Sequence, residues 1–162
     1  MTRGADVPGD FSPGGRRLVS FRERPDEQSV GRLFVVNVDG TGLHPITPPS
    51  MAVGFGTVRW SPDGTKILFQ DARDLPHGYL WTGSPDGSNL TRLFADPHGR
   101  FAISPTWSPD GAYVMFALDP IAAEFTHPAN GLYVIRSDGT GLTLVIGGSN
   151  FKREPDWLAS KG

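Results

Sequence analysis

Apolar residues in this chain come in short bursts, each stopped by a turn. Runs at 18–21, 67–69 and 114–116 are too short for helices and read as buried strands. Each follows the same lead: an aromatic (Phe11, Trp60, Trp107), then Ser-Pro and a Gly-containing turn. Residues 11–21, 60–70 and 107–117 align without gaps, and a fourth copy opens at 155–157 with Trp157. The lead aromatics are 49, 47 and 50 residues apart. A second signature recurs inside each repeat: Leu33-Phe34, Leu80-Trp81 and Leu132-Tyr133 lead to Asp39-Gly40, Asp86-Gly87 and Asp138-Gly139. Leu43, Leu90 and Leu142 then stand four residues beyond each Asp.

These signatures predict four strands per repeat. The first ends at the aromatic, near 56–60 and 103–107. Ser-Pro-Asp-Gly is a turn with a mechanism: Pro presets φ, Asp bonds the backbone two residues on, and Gly accepts positive φ. The second strand is the apolar run, and the third carries the Leu-aromatic pair. The Asp-Gly turn then leads to a fourth strand at 43–47, 90–94 and 142–146. Pro45 lies in that strand and withholds a ladder donor, so the fourth strand should be outermost. Only 121–126 could hold a helical turn, and no real helix is expected.

Four short antiparallel strands in a repeat of about 45 residues are the mark of a β-propeller blade. The chain resembles the TolB-like propeller repeat, a relative of the WD-repeat pattern, in its Trp-Ser-Pro-Asp-Gly and later Asp-Gly-Ser/Thr motifs. The resemblance covers about residues 7–157. Phe11 and Gly14 depart from it, where the pattern has Trp and Asp. The expected fold is all-β: a single incomplete propeller domain over 1–162, with three four-stranded antiparallel blades at about 7–49, 54–96 and 101–147. The first strand of a fourth blade falls at 153–157. Propellers have four to eight blades, and the resemblance implies six. The chain is therefore read as the C-terminal portion of a longer protein, or else as half of a homodimer closing a six-bladed C2 ring; the first reading is preferred.

Composition agrees. Gly (21) and Pro (15) are abundant among the 162 residues, which disfavours long helices. A net charge of −2 lacks the basic surplus of a nucleic-acid-binding domain. No apolar run approaches the roughly 20 residues of a membrane span, and residues 1–10 lack the order of a signal peptide. Zero Cys excludes disulfides, thiolate metal sites and cysteine nucleophiles. The resemblance implies a bacterial protein, periplasmic or otherwise extracytoplasmic; a cytoplasmic one remains the alternative.

Strand alternation puts the Ser-Pro-Asp-Gly and Asp-Gly turns at one end of the blades and the more variable second-to-third-strand loops at the other. Links between blades, at 48–54, 96–101 and 147–152, join those loops. Recognition on a rigid scaffold belongs with variable loops. The candidate partner-binding residues are therefore Arg22, Arg24, Asp71, Arg73, Asp74, His77, Asp119, Glu124 and His127. His77 and His127 occupy matching loops, but no spacing fits a metal signature, so no metal or other cofactor is assigned.

Ser61 and Ser108 recur as turn residues, not in a Gly-x-Ser-x-Gly elbow, and no catalytic residue is assigned. Asp39, Asp86 and Asp138 read as turn formers instead of calcium ligands. Trp60, Trp107 and Trp157 read as packing between blades. The expected function is a non-catalytic scaffold binding a protein partner. The alternative is the propeller of a hydrolase, peptidase or ligand-binding enzyme with its site in the central channel. Against it, the inner strands at 56–60 and 102–107 offer Arg59 and Thr106 but no carboxylate.

Overall fold

The computed structural model describes residues 6–24, 27–54, 57–71, 78–119, 131–148, 155 and 157, with 27–29 and 119 described by backbone alone. Every regular element among them is a strand. The first blade comprises β1 (Asp6–Phe11), β2 (Arg17–Arg24), β3 (Glu27–Asn37) and β4 (His44–Pro45). The second comprises β5 (Val53–Gly54), β6 (Arg59–Trp60), β7 (Ile67–Asp71), β8 (Tyr79–Gly83) and β9 (Thr91–Phe94). The third comprises β10 (Phe101–Trp107), β11 (Tyr113–Asp119), β12 (Gly131–Arg136) and β13 (Thr143–Ile146). All ladders between these strands are antiparallel. As the missing donor of Pro45 requires, β4 pairs only with β3 and is outermost. The 121–126 segment lies outside the described residues.

The inner strands differ from expectation. In blade 2 the strand is split: Val53 pairs with Asp71 and Arg59 with Leu68, and of the expected 56–60 the described residues 57–60 are strand only at 59–60. The detached piece, β5, also pairs with β3 (Gly31 with Val53), which fuses blades 1 and 2 into one sheet. The other two inner strands carry a bulge at the corresponding place, between Pro8 and Asp10 and between Ile103 and Thr106. In β10 the bulge holds Ser104 at φ 52°, a left-handed conformation that costs a non-glycine residue free energy.

The core lies between blades. Alternation along β7 sends Ile67 and Phe69 to one face, against Val19, Phe21, Leu33 and Val35 of blade 1. Leu68 points the other way, to a cluster with Val114, Phe116 and Ile135 of blade 3. Because both faces of the middle blade are covered, every residue of β7 is buried. In β2 only Val19 and Phe21 are buried. Trp60 and Trp107 each belong to one of these interblade clusters, as their recurrence predicted.

Candidate functional site

At the turn end, polar side chains are committed to holding the chain. Ser61 Oγ donates to Asp63 Oδ1 (2.6 Å) and accepts from the Lys66 amide (2.8 Å). Ser108 repeats this with Asp110 Oδ1 (2.6 Å) and the Tyr113 amide (2.9 Å). In blade 1, where Gly14 replaces the Asp, Ser12 Oγ still accepts from the Arg17 amide (3.1 Å). Asp39, Asp86 and Asp138 each accept both the amide and the hydroxyl of the residue two positions on, Thr41, Ser88 and Thr140. Those hydroxyl bonds, followed by the amide bonds, hold the three carboxyls below the usual carboxylate range. Asp63 and Asp110 are lowered in the same way, first by Ser61 and Ser108. The two turns of a blade lie side by side: the amides of Val38 and Ser137 donate to the carbonyls of Arg16 and Ala112. A hollow of about 430 Å³ opens here, lined by Thr65, Lys66, Ser84, Asn89 and Leu93 of blade 2 and by Ser137 and Asp138 of blade 3, among others.

At the loop end, the structure describes part of the candidate set. Arg22 Nε donates to Asp6 Oδ1 (2.6 Å), and its guanidinium lies 4.6 Å from the Phe34 ring centre. That bond, above all, raises the Arg22 pKa further. Arg24 Nη2 donates to the carbonyls of Pro49 (2.7 Å) and Met51 (3.0 Å), tying the end of β2 to the link between blades 1 and 2. Asp71 is buried at the end of β7. Asp119 ends β11. Arg73, Asp74, His77, Glu124 and His127 lie outside the described residues.

The next link is held more firmly. Asp96 is buried and accepts from Arg100 Nη2 (2.7 Å) and from the amides of His98 and Arg100 (both 3.0 Å). Burial pushes its carboxyl up, but the hydrogen bonds and charge of Arg100, with the His98 amide, outweigh that and hold it below the usual range. Arg100 also donates to Tyr133 Oη (3.0 Å), fixing the link to the third strand of blade 3.

The inner strand of blade 1 supplies what the other two lack. Asp6 and Asp10 are carboxylates on β1, and both are engaged, Asp6 by Arg22 and Asp10 by the Trp60 amide (2.9 Å). Reading blade 1 through its departures at Phe11 and Gly14 draws attention away from 6–10. The signal that could have found these carboxylates was position, since Asp10 precedes Phe11 as Arg59 precedes Trp60.

No protein-family model and no curated protein sequence matches the chain. Solved structures do. A protein assigned as TolB from Agrobacterium tumefaciens superposes with a TM-score of 0.67 at 22% identity, over 91% of this chain and 52% of its own. TolB from Acinetobacter baumannii gives 0.66 at 13%, over 91% and 33%. The β-propeller domain of the Trilobed protease from Pyrococcus furiosus gives 0.62 at 11%, over 89% and 43%. This chain thus spans about half the length of such structures, or less. An oligogalacturonate lyase, a nidogen–laminin complex and prolyl endopeptidases share the architecture. From its thirteen described strands to these superpositions, the chain has the β-propeller fold of TolB-like proteins.

Proposed function

We propose that the chain is a non-catalytic propeller scaffold that binds a protein partner through its second-to-third-strand loop end. The observation that carries this reading is the division of labour between the two ends. The serines and aspartates of the turns are spent on closing those turns. The loops at the other end vary in length and charge while the Arg24 and Asp96 contacts brace the links beside them. A rigid frame carrying variable loops is the usual arrangement of a recognition surface. Among proteins of this fold, nidogen is found in complex with laminin. The channel-enzyme reading has Asp6 and Asp10 in its favour, but both carboxylates are occupied by internal contacts.

The test is cross-linking of the folded protein in cells, followed by identification of the cross-linked positions. Partner cross-links should map to 72–77 and 120–130 and disappear with Arg73→Glu and Glu124→Lys. Lys66→Glu, in the turn-end hollow, should leave them unchanged. Cross-links confined to the turn end, or hydrolysis of chromogenic esters or peptides that tracks the purified chain, would overturn the proposal.

A further inference from the structure

The hollow between blades 2 and 3 differs from what the repeat builds at the junction before it. In blade 1, Val35 and His44 are cross-strand partners on the face turned toward blade 2. Val35 is buried, and His44 Nε2 reaches across to lie 2.9 Å from the Pro85 carbonyl oxygen of the blade 2 turn. On the same face, Arg17 lays its guanidinium on Trp60, 4.8 Å from the ring centre. Those three side chains occupy the turn end of the first junction.

Blade 2 changes all three. Thr82 stands where the other blades have Val35 and Val134, Thr91 replaces His44, and Lys66 replaces Arg17. Leu68, Thr82 and Thr91 are cross-strand neighbours, so the two threonines share the face that Leu68 turns to blade 3. The Thr91 hydroxyl donates to the Asn89 carbonyl (3.2 Å) within its own blade, where the longer His44 crosses to the next. The Lys66 ammonium makes no hydrogen bond, ion pair or ring contact among the described residues. Thr82 is only 6% exposed, yet its hydroxyl borders the hollow and has no hydrogen-bond partner among the described residues. A buried hydroxyl left without a partner costs free energy that valine at the same place would not. The volume left open, about 430 Å³, lies within the roughly 300–1,000 Å³ usual for small-ligand clefts.

We propose that this hollow binds a small zwitterion of the amino-acid class, its carboxylate taken by Lys66 and the Thr82 hydroxyl and its ammonium by Asp138. The lining carries one cation and one anion that do not pair with each other. A simple anion would meet the Asp138 carboxylate and a simple cation would meet Lys66, whereas a ligand bearing both charges satisfies both. Asp138 is suited to its part, because both bonds from Thr140 end on Oδ1 and favour the ionised carboxylate. Asn89 Nδ2 donates to the hydroxyl oxygens of Ser84 and Ser88 (both 3.1 Å), which leaves Asn89 Oδ1 to accept, and the Ser84 hydroxyl to donate, toward the ligand's side chain. The inference is independent of what the loop end binds.

The test is proton–nitrogen correlation NMR on the isotope-labelled full chain, titrated with each of the standard L-amino acids in turn. At least one should shift the amides of Lys66, Thr82 and Asp138 saturably at millimolar concentration, while acetate, ethylamine and glucose should not. Thr82→Val installs the residue that the other blades carry, so the fold accommodates it; binding should weaken roughly three- to tenfold. Lys66→Met removes an exposed charge, and Asp138→Asn keeps an oxygen for the Thr140 bonds; each should weaken binding by more than about tenfold. Absence of a saturable shift with every amino acid overturns the proposal, as do shifts confined to other residues. Acetate, ethylamine or glucose binding as tightly would do the same, and so would full affinity in Thr82→Val or Lys66→Met.

Discussion

The same substitution at two equivalent tryptophans should have different consequences. Trp60 Nε1 donates to the Asp10 carbonyl (3.1 Å), a bond from blade 2 to blade 1. Trp107 occupies the equivalent position in blade 3, yet its Nε1 is buried without a hydrogen-bond partner among the described residues. Replacing either by Phe removes the same atoms from a buried setting, so the packing loss largely cancels in the comparison. What remains is the indole N–H. At Trp60 the change forfeits a made bond, about 1 kcal/mol net. At Trp107 it relieves a buried donor of its desolvation penalty, about 1–3 kcal/mol. Trp60→Phe should therefore be the more destabilising by at least about 2 kcal/mol, which corresponds to roughly 4–8 °C in Tm at this chain length.

The assay is urea unfolding followed by circular dichroism, since fluorescence would itself be altered by losing one of the four tryptophans. Equal m-values for the two variants would confirm that the same unfolding is being compared. Phe already stands at the equivalent position of blade 1 as Phe11, so the fold accommodates the residue there. A Trp107→Phe variant as unstable as Trp60→Phe, or more so, would refute the assignment of the difference to the Nε1 bond.

Ser108→Ala removes the donor to Asp110 and the acceptor for the Tyr113 amide, and should cost about 1–2 kcal/mol in urea unfolding. The turn carboxyls and that of Asp96 have folded pKa values below the usual 3.8. Their contribution is thus present above pH 3.8 and lost as pH falls through the lower folded values; thermal melts should show stability dropping on that acid side, with Ser108→Ala reducing the drop. Asp96→Ala leaves Arg100 without its carboxylate in a mostly buried site and should cost about 3 kcal/mol, read by the same melts. Asn89 holds φ 54° where Gly42 and Gly141 stand in the other blades, so Asn89→Gly should stay within about 0.5 kcal/mol of the parent while Asn89→Val loses about 1–2 kcal/mol.

The blades were legible because their signatures are local. Ser-Pro-Asp-Gly encodes its own closure: Ser108, Asp110 and the Tyr113 amide lie within six residues, so the turn needs no distant partner. Pro45 likewise announced an edge strand through a donor it does not have. The inner strands were read less well. Their course depends on pairing across blades, and the bond from Trp60 to Asp10 spans 50 residues that no local pattern joins. Gly31 pairs with Val53 of β5, and a Cβ on it would collide with the Arg22 carbonyl oxygen of β2 on its other side; the sequence around Gly31 does not say which strands will approach it. For the loop end, residue type suggested recognition at Arg24 and Asp71 alike. The structure uses Arg24 to brace a link and buries Asp71, because both sit where a strand ends and an interblade connection passes.

That difference separates how a propeller is stabilised from how it can diverge. Its turns are self-contained, so each blade can keep them whatever its neighbours do. Its stability, however, resides between blades, where β7 is buried on both faces and β2 on one. Repeat arrays gain stability from each nearest-neighbour contact, and an end blade has only one such contact unless something covers it. Apolar substitutions on the middle blade should therefore cost more than their equivalents on the outer two in this chain. Leu68 is fully buried and its blade-3 counterpart Met115 only half-buried, so Leu68→Ala should lose more stability in urea unfolding than Met115→Ala, and equal losses would refute the interblade account.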